Sequence, residues 1–318
     1  MYYITAASSI THQPSFGNDG FSSVISPLAE GSELIQPNYK EYIEAGLLRR
    51  MSKILRMSVA CSKDCLRQTS TDQPDAIVVG TGLGCLLDTE KFLNNVLTLE
   101  GMLPPTSFIQ STHNTIAGQI SLSLGNHGYN MTHTQNTLSF EYALQDALLL
   151  LAEEQRNILV GASDEHIPFL NEVSEHLGQG PADIPLTSGA SFFMVSEERE
   201  NALAEIIDVE VAGAVQDIPA AVTAFLAHNG LTAMDLDLVL YPSADFGGSA
   251  DFQFVKSEDA GLAFVEYLPY SGLYATASAF ALHFAVDRFG QGRAGALALV
   301  CNRMNRNLGL TLIRSVEA

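Results

Sequence analysis

Asp75-Ala76-Ile77-Val78-Val79-Gly80-Thr81-Gly82-Leu83-Gly84 is a short apolar run that ends in alternating glycines. A run of this length, rich in β-branched residues and closed by glycine, reads as a strand buried on both faces. Such strands belong to sheets covered by helices. The glycines invite comparison with a nucleotide loop, but they lack the sixth-position glycine of the dinucleotide fingerprint and the Lys-Ser/Thr of a phosphate loop. Nucleotide binding is therefore not the expected role.

Outward from that strand, helical and extended patterns alternate. Residues 2–8 read as a strand, and residues 41–67 as one helix with Ile43, Leu47, Leu48, Met51, Ile54, Leu55 and Val59 at helical spacing. Downstream come a helix over 89–100, the Pro104-Pro105 break and a helix carrying Ala117 and Gly118. An extended segment over 130–134, a long apolar helix over 139–154 and strands over 157–161 and 190–195 follow. The remainder repeats the theme: strands over 206–211 and 236–241, helices over 218–228 and 275–289, and a hairpin pair over 294–301 and 308–314. Alternation of this kind implies parallel pairing with helices on the faces. The Gly- and Pro-containing stretch 178–186 reads as a connection within one unit.

The formal charge of −20, from 36 acidic and 16 basic residues, excludes nucleic acid and anionic membrane as natural partners. Lys40, Arg49, Arg50, Lys53, Arg56, Lys63 and Arg67 nonetheless crowd one segment, which reads as a solvated helix face or a docking patch for an acidic partner. Four cysteines in a chain of 318 residues make no disulfide framework, and Cys61 and Cys65 lack the neighbours of a zinc site. No cofactor or metal is expected. With no basic region before an apolar stretch at the amino terminus, and no apolar run longer than residues 147–152, the expected location is the cytoplasm.

Several strings in the right order carry a family resemblance: Tyr3-Ile4-Thr5-Ala6, Gly80-Thr81-Gly82 followed by Thr89-Glu90-Lys91-Phe92, Ala117-Gly118, Gly128-Tyr129-Asn130, and Val160-Gly161-Ala162-Ser163-Asp164-Glu165. Together they resemble the β-ketoacyl synthases of fatty acid and polyketide assembly, most clearly over 75–165. The resemblance implies an α/β, thiolase-like layered αβαβα fold of two pseudo-repeated halves, 1–200 and a shortened 201–318, forming one compact unit with mixed, mostly parallel sheets.

Active members place a nucleophilic cysteine on a tight turn before a buried helix, where the helix terminus and backbone amides activate it and stabilise the oxyanion. Counted forward from Ala117-Gly118 or backward from Val160, that position is Thr137. The family's two histidine positions fall near Pro242 and Ser243 and at Leu273, and its glycine-rich carboxyl-terminal loop is replaced by Asn302-Arg303-Met304-Asn305. Each such element contributes roughly 10²–10⁴ in rate, so joint loss implies a degenerate site without catalysis of its own. Other readings stay open: Thr137 or Cys85 as an atypical nucleophile, His133 as a base or as an interface residue, and Asp164 and Glu165 as structural groups or a general acid.

A family member without the nucleophile resembles the chain length factors that pair with an active ketosynthase, with the compact outline of the aryl polyene and flexirubin types. The resemblance implies an interface strand of Asn130, Met131, Thr132, His133 and Thr134, and a tunnel-facing segment with Thr106, Ser107 and Phe108 nearest the acyl path. Carrier protein would be met through the active partner, and a homodimer would use the same strand. The shortening falls over 178–236 and 246–256, where the family carries active-site caps.

Overall fold

The computed structural model describes residues 1–29, 31–177, 184–242, 263–304 and 306–316. Ten strands are described: β1 (Tyr2–Ile10), β2 (Ala76–Gly80), β3 (Tyr129–His133), β4 (Asn157–Asp164), β5 (Gly189–Ser196), β6 (Ala204–Ala212), β7 (Leu238–Tyr241), β8 (Ala263–Glu266), β9 (Leu297–Met304) and β10 (Asn307–Ser315). The helices are α1 (Ala45–Leu48), α2 (Lys53–Arg67), α3 (Leu86–Thr98), α4 (Pro105–Gln110), α5 (Thr115–Leu124), α6 (Ser139–Ala152), α7 (Pro168–Leu177), α8 (Ile218–His228), α9 (Leu268–Ser271) and α10 (Ala277–Phe289). Among the described residues no helix is long and apolar enough to cross a membrane.

The strands run in the order β3-β2-β4-β5-β1-β6-β10-β9-β7-β8. Numbered within its own half, each set of five has the order 3-2-4-5-1, with the same parallel and antiparallel neighbours in both. The internal repeat is thus a property of the topology. The sheet is mixed, but its parallel pairs are confined to β3-β2-β4 and β9-β7-β8, and the other five neighbouring pairs are antiparallel. β1 joins the halves by pairing Tyr2, Tyr3 and Ile4 with β6, and a bulge between Ile4 and Ala6 bends it there.

Side-chain alternation separates the layers. On β2, Ala76 and Val78 face one core while Ile77 and Val79 face another, as the two-residue period of a strand requires. On β7, Leu238 and Leu240 share the first core, whereas Val239 and Tyr241 turn to a third. The shared core holds α6 and α10, with α2 and α5 outside one sheet face and α8 outside the other. This is an αβαβα sandwich. α10 is buried almost all round, which only a central helix tolerates.

Two local expectations are corrected. Residues 41–67 are not one helix: after α1 the chain turns through Arg49 and Arg50 and restarts at α2 from an extended Ser52. The apolar spacing crosses the break because Leu47, Leu48 and Met51 pack on the same core as Ile54 and Leu55. The basic segment is not one solvated face either. Lys63 and Arg67 donate to the carbonyls of Tyr42 and Glu41, Arg67 lies over the Tyr42 ring at 4.2 Å, and Lys53 reaches the His166 carbonyl. Lys40, Arg49 and Arg50 are exposed.

Candidate functional site

The site lies at the carboxyl ends of β2, β3 and β4, where parallel strands in α/β folds commonly present their functional loops. β3 leads into a 3-10 turn, Asn136–Leu138, that runs directly into α6. Asn136 has φ 55°, in the left-handed region, and Thr137 follows it at the head of the helix. The glycine run makes this packing possible. A Cβ on Gly80 would stand 2.5 Å from the Ser139 carbonyl oxygen, and one on Gly82 would stand 2.3 Å from the Ala275 Cβ. Gly80 thus lets the strand approach the α6 backbone, and Gly82 makes room for the Ala275 side chain.

The Thr137 hydroxyl accepts from Asn307 Nδ2 at 3.2 Å, and its carbonyl accepts from Asn302 Nδ2. Asn302 also lies 3.0 Å from each carboxylate oxygen of Glu141, one turn into α6. Burial pushes the Glu141 carboxyl up to about 7, against the lowering effect of Ser278 and Asn302. Neither amide can take a proton from a hydroxyl, so neither of the two groups bonded to Thr137 activates it.

Asp164 is fully buried and accepts from Thr81 Oγ1 at 3.0 Å, the amides of Gly82 and Leu83 at 2.9 and 3.0 Å, and Thr276 Oγ1 at 2.8 Å. It joins the glycine loop to the segment before α10, which is structural work. Burial raises its pKa while these donors lower it. Glu165 accepts from the Leu87 amide, its Oε2 has no hydrogen-bond partner, and burial pushes it up to about 7.

Thr137, Leu273 and Met304 line one cavity of about 270 Å³, together with Glu165 and His166. Three positions far apart in the sequence, matched to the nucleophile, one histidine and the glycine-rich loop, therefore converge. Pro242 is buried and does not line the cavity, while Ser243 and Asn305 lie outside the described residues. His166 points its Nε2 at Asn171 Oδ1, 2.9 Å away. His133 places its Nε2 2.9 Å from Asp146 Oδ2 on α6. The Cys85 thiol is buried, and burial with Glu165 and Asp88 nearby pushes its pKa up, which disfavours the thiolate a nucleophile needs.

Thr106, Ser107 and Phe108 sit in α4, and none of them lines this cavity. Thr106 and Phe108 are exposed, with the Phe108 ring 5.5 Å from Phe92, and Ser107 is buried near Asn95. Among the described residues β3 pairs only with β2, which leaves its other edge open. Asn130, Met131 and Thr134 are exposed there, and Thr132 and His133 half-buried. The roles of Asn307, Asn302 and His166 were not legible in the sequence, since their partners are brought near only by the fold.

A family model described as β-ketoacyl synthase, N-terminal domain, matches residues 31–206. No curated protein matches the sequence. Among solved structures, the ishigamide ketosynthase/chain length factor is similar with a TM-score of 0.81 at 18% identity, covering 99% of both chains. A type II PKS acyl-carrier protein in complex with its ketosynthase bound to the hexaketide gives 0.77 at 15%, with the same coverage. A β-ketoacyl synthase from Burkholderia phymatum gives 0.78 at 14%, again over 99% of each chain. The family match takes in more than half of the chain and the shared fold nearly all of it, and on that ground the chain belongs to the β-ketoacyl synthase family.

Proposed function

We propose that the chain is a non-catalytic ketosynthase-like subunit of the chain length factor kind, pairing with an active β-ketoacyl synthase. The observation that carries this reading is the lining of one cavity by Thr137, Leu273 and Met304, where the family's chemistry would need a thiol, an imidazole and a glycine loop. The open edge of β3 and the apolar side chains exposed on α3 and α4 support a partner surface, because unpaired edges and contiguous apolar patches are poorly tolerated alone. In this reading β3 pairs with its counterpart in the partner, α4 reaches the partner's acyl tunnel and sets its depth, and carrier protein docks on the partner. Biosynthesis of a polyene or polyketide in the cytoplasm fits that assignment.

Co-expression with the ketosynthase from the same locus tests it. A stable one-to-one complex in size exclusion is expected, and a chain that never co-elutes would remove the pairing. The other reading, an acyltransferase or hydrolase using Thr137, is less favoured because the groups on its hydroxyl and carbonyl are both amides. Intact mass after incubation with acyl thioesters separates the two, since a covalent adduct abolished by Thr137→Ala would restore it.

A further inference from the structure

α3 is held to the rest of the chain with little help from apolar burial. Its side chains Leu87, Leu93, Val96 and Leu97 are exposed, and the one helix residue it buries is a carboxylate, Asp88. Farther along, Thr89 Oγ1 donates to the Ser111 carbonyl at 2.9 Å and the Phe92 ring meets Phe108, which ties α3 to α4 and the turn after it. The first turn is anchored from the end of β4 by Glu165, whose Oε1 accepts from the Leu87 amide at 3.0 Å.

Two buried acids therefore meet at one helix start. Glu165 is 2% exposed and Asp88 8%, and among the described residues Glu165 Oε2 and Asp88 Oδ2 have no hydrogen-bond partner. Neighbouring carboxyls withdrawn from water do not readily ionise together. Facing Glu165 are Lys53 from α2, Asp88 from α3 and Cys85 just ahead of α3, while its chain neighbours Asp164 and His166 turn to the glycine loop and to Asn171. Burial first, and the Asp88 charge with it, push the Glu165 carboxyl up to about 7, against the Leu87 amide, Lys53 and the Ile54 amide. Burial also raises Asp88, against Ser52 and Lys91. One half-buried ammonium thus faces two buried acids.

We infer that the Glu165 and Asp88 junction is a pH-sensitive latch for α3: with a proton on Glu165 it holds one negative charge against Lys53 and the helix stays docked, and loss of that proton buries a second charge and releases the first turn. In the released form Glu165 meets water and its carboxyl returns to the ordinary 4.5. Docking is therefore firmest below that value and weakens as pH rises to about 7. Since α3 carries exposed Leu93, Val96 and Leu97, the latch sets how firmly this apolar surface is presented. The inference stands on the junction alone and not on the pairing proposed above, so either can fail without the other.

Hydrogen exchange followed by mass spectrometry tests it, on the purified full chain at pH 5 and pH 8 with labelling times scaled for the intrinsic exchange rate. Peptides from α3 are expected to lose protection by roughly 30- to 100-fold at the higher pH, because each unit between the two carboxyl values changes the opening equilibrium by up to about tenfold. Glu165→Gln cannot ionise yet keeps an acceptor for the Leu87 amide, so its α3 protection should no longer depend on pH. If Glu165→Gln melts early, Asp88→Asn serves in its place: without the neighbouring charge the fall in α3 protection should shrink severalfold. Equal α3 protection at the two pH values, an α3 unprotected at both, or a fall of undiminished size in the variant would each overturn the inference.

Discussion

Asn302 on β9 holds its side-chain amide 3.0 Å from both carboxylate oxygens of Glu141 on α6. The contact ties the sheet of the second half to the helix that carries the Thr137 turn, and it is fully buried. Asn302→Ala would leave the Glu141 carboxyl without this donor, at a cost of about 1–3 kcal/mol. Thermal unfolding should show a lower midpoint, and an unchanged one would mean the contact contributes nothing.

Glu141 also predicts a pH dependence. Burial pushes its carboxyl up to about 7 from the ordinary 4.5, so between these values the folded chain holds a proton that the unfolded chain releases. The stabilisation from this group is complete below the ordinary value and is lost as pH rises through 7. Glu141→Gln cannot ionise. Its stability relative to the wild type should therefore rise from pH 4.5 to pH 8 by as much as roughly 3 kcal/mol. Urea melts at the two pH values measure this, and parallel behaviour of the two proteins would rule it out.

The Gly82 contact gives a second stability test. A methyl group there meets the Ala275 Cβ at 2.3 Å, so Gly82→Ala should destabilise by about 1–3 kcal/mol. Ala275→Gly in the same chain should recover much of that loss, a coupling that double-mutant analysis reads directly. Absence of coupling would show that the loop relaxes elsewhere.

On the open edge, Met131→Asp places a charge on an exposed apolar position of β3. The chain should keep its melting temperature and lose its ketosynthase partner at least tenfold in affinity, the scale of a hot-spot loss. A complex that survives unchanged would move the interface away from β3.

Product length separates a ruler from a scaffold. Thr106 is exposed on α4, so Thr106→Trp should leave the fold intact and shorten the product made by the pair. Ser107 is buried, so Ser107→Trp is expected to lower stability as well. Mass spectrometry of the product decides the matter: unchanged length with Thr106→Trp leaves scaffolding as the role.

Sequence legibility followed local signals. α8 spans 218–228 as read, because Asp217 accepts from the Ala220 amide and Pro219 sits in the first turn, both visible in the sequence. The position of Thr137 was reachable because its spacing from Ala117-Gly118 and from Val160 is fixed by a helix and strands on either side. The break before α2 was hidden, since Leu47 and Leu48 at the end of α1 and Met51 beyond the turn keep a helical spacing and pack on the same core as α2. α7 and the short α9 also carried no signal strong enough to read, and the Asn307–Thr137 and Asn302–Glu141 contacts join residues 170 and 161 positions apart.

Asp164 gathers donors from the glycine loop and from Thr276, yet none of its own contacts involves the threonine at the helix head. The groups that keep the chamber's form are therefore different from those that a reaction inside it would use. On the proposed reading, mutations could replace the reactive groups and leave the walls standing, because the Asp164 contacts that tie the glycine loop to the segment before α10 do not pass through Thr137.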